Sequence, residues 1–342
     1  MFFIFNRGNL AGVDIGSSGV KVVKLKRRGS AYNLEEFGYA KSPSPDTEGG
    51  FKVRETLVGL IRTGRMKIKR VASIVCAPSL LLRHLYLPRM PKGDLREAVR
   101  WEMRKETNFP PDELICDFTN IGETRKGEET LYSIIAFGVW RKDVDRLIEI
   151  LREATLEPIA IDVTPMAMLS SFDYNNVWEE GVNYAMVDLG AAKTTFAIFK
   201  DRKLRFVREI AFGGRDLTKR VAEGLSKTEE EAEEEKTTWG MGGKLKDILT
   251  PSVERLGMEI HRSFDYYQAQ FRDTGAGKIF LCGGTAMLKG LDVFLSNALG
   301  IPCFVDDPLK NIKVDPKRFK LDEVRGIAPM LTPAIGLALR PY

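Results

Sequence analysis

Two stretches of the chain carry the same pattern of apolar and polar positions. Residues 11–28 read AGVDIGSSGVKVVKLKRR and residues 185–202 read AMVDLGAAKTTFAIFKDR. One constant offset aligns them without a gap, so that Val13 falls on Val187, Asp14 on Asp188, Gly16 on Gly190 and Lys26 on Lys200. Each copy has an apolar run, a turn of glycine and small residues, and a second alternating run. That pattern predicts a β-hairpin with an acid at its tip. A second echo lies further on, where residues 71–77 (VASIVCA) and 278–284 (KIFLCGG) are short buried-strand patterns followed by a turn. The same order in both halves, hairpin first and buried strand later, predicts two α/β halves with a cleft between them.

Each half also holds an inserted pattern. In the first, residues 80–87 are strand-like. A helix over 94–107 places Leu95, Val99 and Met103 on one face. Strands follow over 115–121 and 131–139, and a helix over 144–154 closes the unit. The span from about 80 to 158 reads as a small α+β subdomain. In the second half the insertion runs from about 213 to 275. It has the segment 216–224, an acidic helix over 229–237 and a long amphipathic helix after Pro251, with Thr250 as its N-cap. The expected division is a first lobe over 1–170 and a second over 171–342, the last helix returning to the first lobe.

Composition adds limits. A chain of 342 residues exceeds what one compact core usually serves. The net charge of +5 comes from basic residues interleaved with acids, which argues against a nucleic-acid binder. Cys76, Cys116, Cys282 and Cys303 show no metal or redox spacing. Cys76 and Cys282 end apolar strand patterns and read as buried free thiols in a reducing compartment. No apolar run reaches the length of a membrane span, and the apolar start Met1–Phe5 is shorter than a signal-peptide core, so the expectation is a cytoplasmic protein.

The hairpin tips carry the candidate chemistry. In Asp14-Ile15-Gly16-Ser17-Ser18-Gly19, glycine lets backbone amides approach phosphate oxygens, and Ser17 and Ser18 add hydroxyl donors. Asp14 would repel phosphate unless a cation intervenes, and Mg²⁺ held through water satisfies that. Asp188 and Gly190, with Thr194 and Thr195 nearby, repeat the arrangement. Two such tips facing each other would clamp a polyphosphate and its metal. Gly283, Gly284 and Thr285, after the strand over 279–282, would lie against a base or sugar.

These elements, in this order, resemble the phosphate 1, phosphate 2 and adenosine motifs of the actin, sugar kinase and heat-shock 70 superfamily. Residues 158–169 and 334–338 resemble its two connecting helices. Within that superfamily VDIGSSGVKVVKLK, LREAVRWEMRKE, IDVTPMAML and the AEEEK of residues 232–236 resemble the PilM family. PilM proteins are cytoplasmic actin-like components of the type IV pilus inner-membrane platform, and they share an inserted subdomain with the division protein FtsA. The resemblance implies a duplicated actin-like, ribonuclease H-like α/β fold that binds ATP and Mg²⁺. It places Asp14, Gly16, Ser17 and Ser18 on one side of the nucleotide, and Asp188, Gly190, Thr194 and Thr195 on the other. Asp14 and Asp188 would hold the metal through water. Gly283, Gly284 and Thr285 would contact the adenosine, with Glu233 and Lys236 approaching the nucleoside.

One departure matters. Such sequences carry glutamate in a D-V-E-P stretch, and this chain has Asp162-Val163-Thr164-Pro165. Asp162 is then the remaining candidate to orient an attacking water, and ATP binding is expected with slow turnover at most. The resemblance further implies binding of the cytoplasmic N-terminus of a PilN-like inner-membrane protein in a groove beside the inserted subdomain, for which Leu82, Leu85, Trp101 and Phe109 are the candidate lining. Other pilus platform and motor proteins, and self-association, are the further partners it implies, at the inner membrane through a partner. Arg96, Arg100 and Arg104 form a helix stripe that would meet solvent, anionic lipid or an acidic partner. A small-molecule kinase of the same fold, or an FtsA-like filament protein, is the alternative. His84 and His261 lie in an apolar strand and an amphipathic helix and read as structural.

Overall fold

The structure is a computed structural model that describes residues 10–41, 49–107 and 110–342. Met1–Phe5 and Phe109 therefore lie outside the described residues. Both hairpins form. β1 (Ala11–Ile15) and β2 (Gly19–Arg28) make the first, β9 (Tyr184–Leu189) and β10 (Thr194–Lys200) the second. Asp14 faces Lys21 across its hairpin, and Asp188 faces Thr195. The Gly16 amide donates to the Gly19 carbonyl at 3.0 Å, the Gly190 amide to Lys193 at 3.1 Å. Lys21 and Thr195, like Gly19 and Lys193, correspond under the offset that aligns the two sequences, so the duplication extends to single hydrogen bonds.

β3 (Ala31–Lys41), α1 (Gly49–Thr63), β4 (Arg70–Ile74) and β8 (Glu157–Asp162) complete the first half's framework. In the second half β11 (Lys203–Ile210), β12 (Lys278–Cys282) and β13 (Cys303–Val305) extend the hairpin. β14 (Ile312–Lys313) crosses back, and the sheet orders are β14-β3-β2-β1-β4-β8 and β11-β10-β9-β12-β13. β4 runs parallel to β1, and β12 to β9. The carboxyl ends of the parallel strands of both sheets therefore open toward one cleft, where ligands of such sheets bind.

Between β4 and β8 stand β5 (Leu81–Pro88), α2 (Lys92–Lys105), β6 (Leu114–Lys126), β7 (Glu129–Trp140) and α3 (Arg141–Glu153). Three of these make a separate sheet in the order β5-β7-β6. Leu95, Val99 and Met103 of α2 pack on it through Leu87, Leu114, Ile134 and Ala136. α3 joins two units. Its Val144, Leu147 and Leu151 share one core with Leu57 and Met66 of the first framework and with Ile135, Phe137 and Val139 of β7 in the inserted sheet. Arg100 and Arg104 are partly buried, and their charges act on Cys116 of β6, so the arginine stripe is not a fully solvated face.

The later helices are α4 (Thr164–Asn175), α5 (Gly214–Leu225), α6 (Glu229–Trp239), α7 (Lys246–Phe271), α8 (Leu291–Leu299), α9 (Leu321–Gly326) and α10 (Thr332–Leu339). α7 begins at Lys246, so Thr250 is not its N-cap. The Thr250 hydroxyl donates to the Lys246 carbonyl at 2.8 Å. Leu245, Leu249, Val253 and Leu256 keep the 3–4 spacing through Pro251 and are wholly buried. Burying them outweighs the one hydrogen bond the proline removes. α4 and α10 cross at Gly336, where an added Cβ would stand 1.8 Å from the Ala167 carbonyl oxygen. α10 crosses β1 at Gly12, where a Cβ would stand 1.9 Å from the Ala334 oxygen. β14, Leu309, Val324, Leu331 and Ile335 pack on Val23, Leu25 and Leu34 of the first sheet. Among the described residues no helix is long and apolar enough to cross a membrane.

Candidate functional site

The cleft floor is built by the two hairpin tips. Asp14 ends the buried run of β1 and lies 3.0 Å from Lys21 Nζ, both nearly enclosed. Burial works against the Lys21 charge, but the attraction of Asp14, and beyond it Asp188, raises its pKa above the ordinary lysine value. Asp188 stands opposite. Its burial and the neighbouring charge of Asp14 push its carboxyl up to about 6. Lys193, at the second tip, is paired with Glu209. The Ser17 and Ser18 hydroxyls have no protein partner among the described residues.

Glycine is required where backbone crowds this floor. Gly283, at φ +86°, lies so close to the second tip that a Cβ would come within 2.4 Å of an Asp188 carboxylate oxygen. Thr285 donates to the Gly190 carbonyl at 3.1 Å, which ties the third motif to the second tip. A 3₁₀ turn over Thr285–Met287 precedes α8, so that helix does not present its N-terminus directly after Gly283-Gly284. Lys236 is buried and donates to the Gly214 carbonyl (3.1 Å), Thr218 Oγ1 (2.7 Å) and Glu233 Oε2 (2.6 Å). Gly214 in turn lies against Thr285. The structure thus brings Gly190, Gly214, Glu233, Lys236 and Thr285 together along one wall. Thr194 is the exception among the tip residues: its fully buried hydroxyl donates to the Phe212 carbonyl at 2.8 Å and is spent on the fold.

Two contributors were missing from the sequence reading. Lys21 occupies an inward position of β2, directly across from Asp14, and the hairpin register is the signal that reveals it. Arg215, in the first turn of α5, reaches across the cleft and donates to the Ser17 carbonyl. Cys76 departs from expectation as well: it follows β4 at a position open to solvent, yet desolvation by its surroundings, ahead of any neighbouring charge, raises its thiol above the ordinary value. Cys282 is buried as expected.

Asp162 does not face this cluster. It ends β8 beside the inserted sheet. Its Oδ1 accepts from the Val163 amide at 2.8 Å, and its Oδ2 is paired with Arg340 and accepts from the Tyr342 hydroxyl at 2.9 Å. Both oxygens of this carboxylate are thus already engaged by the protein. The same residues border an apolar groove of about 150 Å³ between the inserted sheet and the first core, lined by Leu80, Ile115, Phe137, Val139, Val144 and Met166. β6, which supplies Ile115, Asp117, Phe118 and Thr119 to it, is an edge strand. The expected lining lies elsewhere. Leu82 packs on the main core, Leu85 on the inserted core, and Trp101 is 61% exposed on α2.

The sequence matches the type IV pilus assembly protein PilM family over residues 12–342. The chain belongs to the PilM family. A solved PilM–PilN type IV pilus biogenesis complex superimposes with a TM-score of 0.88 at 26% identity, over 98% of this chain and 100% of that one. The cell division protein FtsA of Streptococcus pneumoniae serotype 2 is 21% identical over 86% of this chain and 74% of its own length. Ethanolamine utilization protein EutJ from Carboxydothermus hydrogenoformans shares the fold more distantly, with a TM-score of 0.55 at 17% identity, over 96% of this chain and 89% of its own. As in these relatives, the fold of this PilM-family chain is that of the actin-like ATPases.

Proposed function

We propose that this PilM-family chain is a nucleotide-dependent assembly protein of the type IV pilus inner-membrane platform, holding the cytoplasmic N-terminus of a PilN-like membrane protein. The observation that carries the partner is the apolar groove beside the edge strand β6, in a chain that matches a solved PilM–PilN complex over nearly its whole length. An extended apolar peptide gains both side-chain burial and backbone pairing at such an edge. Attachment through that peptide would keep the chain at the inner membrane from the cytoplasmic side. The two lobes divide near residue 170, and the 309–342 stretch packs back on the first.

The residues of the cleft suit Mg·ATP. Asp14 and Asp188 would hold the metal through water. Lys21 and the tip loops around Gly16 and Gly190 would meet phosphate oxygens, with the Ser17 and Ser18 hydroxyls beside them. The backbone of Gly283 and Gly284, with Glu233, Lys236 and Thr285, would border the nucleoside. The bound metal would screen the charge of the polyphosphate. Because Asp162 is committed to Arg340 and Tyr342 and Thr164 stands where an acid would orient water, turnover should be slow, below about 1 s⁻¹, the low end of ordinary enzymes. A steady-state assay above that rate would favour the kinase reading instead.

The groove is tested with Met166→Glu, which puts a charge where the peptide's apolar side chains would sit. A synthetic PilN N-terminal peptide should bind the variant at least tenfold more weakly, about 1.4 kcal/mol, while ATP affinity is unchanged. Equal peptide affinity in variant and wild type would remove the groove from the mechanism.

A further inference from the structure

A second cavity, of about 430 Å³, lies between the inserted sheet and the second lobe. Its walls are the far part of β6 and neighbouring strands on one side, and β11 with the carboxyl end of α7 on the other. Arg125, Arg205 and Arg272 converge on it from three elements. None of the three has an ion-pair partner among the described residues. Arg205 donates one guanidinium hydrogen to the Ile121 carbonyl and lies over the Phe271 ring, 5.9 Å from its centroid, beside the Tyr267 hydroxyl, but its Nε is buried with no hydrogen-bond partner. The one acid on the wall, Glu123, is taken by Arg89.

Such an arrangement is costly without an anion. Three like charges around one space repel, and a buried guanidinium N–H without an acceptor forgoes about 1–3 kcal/mol. The carboxyl end of α7 offsets only part of this, since a helix end carries roughly half a unit of negative charge. Guanidinium groups present paired N–H donors matched to phosphate oxygens, and the wall also offers Tyr86 and Phe271, apolar faces that bare phosphate would not use. The volume falls in the range of small-molecule sites, roughly 300–1,000 Å³, and exceeds what inorganic phosphate fills.

We infer that this cavity is a binding site for a small organic phosphate monoester, separate from the nucleotide cleft and bridging the inserted sheet to the second lobe. A ligand there would add to the contacts by which these two parts of the chain already meet, among them Arg205, His84–Gln270 and His84–Phe271.

The test uses calorimetry on the whole chain with glycerol 3-phosphate and with inorganic phosphate, at matched ionic strength in sodium chloride. Both should bind wild type at millimolar concentration, the ester several-fold more tightly. Arg125→Ser with Arg272→Ser, at exposed positions where folding is preserved, should weaken the ester at least tenfold. Lys21→Met, in the cleft, should leave it unchanged. Arg205→Lys should weaken it too, because charge is kept while the forked donors are lost. The inference fails if neither compound binds, if the double serine variant binds the ester like wild type, or if Lys21→Met abolishes binding. Inorganic phosphate binding as tightly as the ester would overturn the ester assignment.

Discussion

At the scale of single residues, two carboxylates dominate. Asp14→Ala or Asp188→Ala should weaken Mg·ATP binding at least tenfold by calorimetry, about 1.4 kcal/mol, by removing one of the two acids that would anchor the metal. Unchanged affinity in both variants would refute the nucleotide site. Asp306 is a different case. It is buried at the end of β13, accepts from Thr332 Oγ1 at 2.8 Å, and burial pushes its carboxyl up to about 6. A raised carboxyl favours folding while protonated, and that contribution is lost as pH rises through about 6. Asp306→Asn keeps an acceptor for Thr332 without the charge. It should be more stable than wild type by about 3 kcal/mol near pH 7.5, with the gain shrinking as pH falls and disappearing near pH 3, below the ordinary aspartate value, in denaturant titrations at each pH. The tip acids were legible in the sequence because their spacing repeats. Lys21 was not, because an ionic residue in an alternating strand reads as solvent-facing until the register sets it across from Asp14. The commitment of Asp162 was not legible for the converse reason: its partners, Arg340 and Tyr342, lie at the far end of the sequence.

At the scale of elements, the duplication runs further than the sequence alone disclosed. α4 begins Thr164-Pro165 and α10 begins Thr332-Pro333, and the two helices cross each other. The crossing depends on Gly336, whose missing Cβ lets backbone meet backbone. Gly336→Ala would force the helices apart and should cost about 3 kcal/mol or more, the upper range for overpacking. Gly59→Ala in α1 meets no described atom within 4 Å and should instead stabilise by about 0.5–1 kcal/mol through helix propensity. Opposite shifts in thermal melts check the pair, and a neutral Gly336→Ala would mean that the crossing is not close-packed. Helix faces and hairpins were readable from periodicity. The partner of a face was not: α3 has a clear apolar stripe, yet its pattern says nothing about which of two cores receives it. The lining of the groove beside the inserted sheet was not legible for that reason, since it comes from β6, β7, α3 and α4 together.

At the scale of the whole molecule, the cleft is bridged by a contact from Arg215 of α5 to the Ser17 carbonyl at the first tip. A charged hydrogen bond of this kind contributes about 1.5–3 kcal/mol, so Arg215→Ala should speed nucleotide release at least fivefold in stopped-flow displacement. An unchanged rate would mean that the cleft opens without breaking this contact. The position of α10, seated on β1 and against α4, has a consequence for how the protein is made. At roughly 5–20 residues per second, the ribosome delivers α10 on the order of tens of seconds after β1 has emerged. Until then the cleft-forming strand has Gly12 and its neighbours uncovered, and the first lobe waits on synthesis of the entire second one. The nascent chain therefore spends most of its translation with an apolar sheet face open, and the two lobes mature together at the end rather than one after the other.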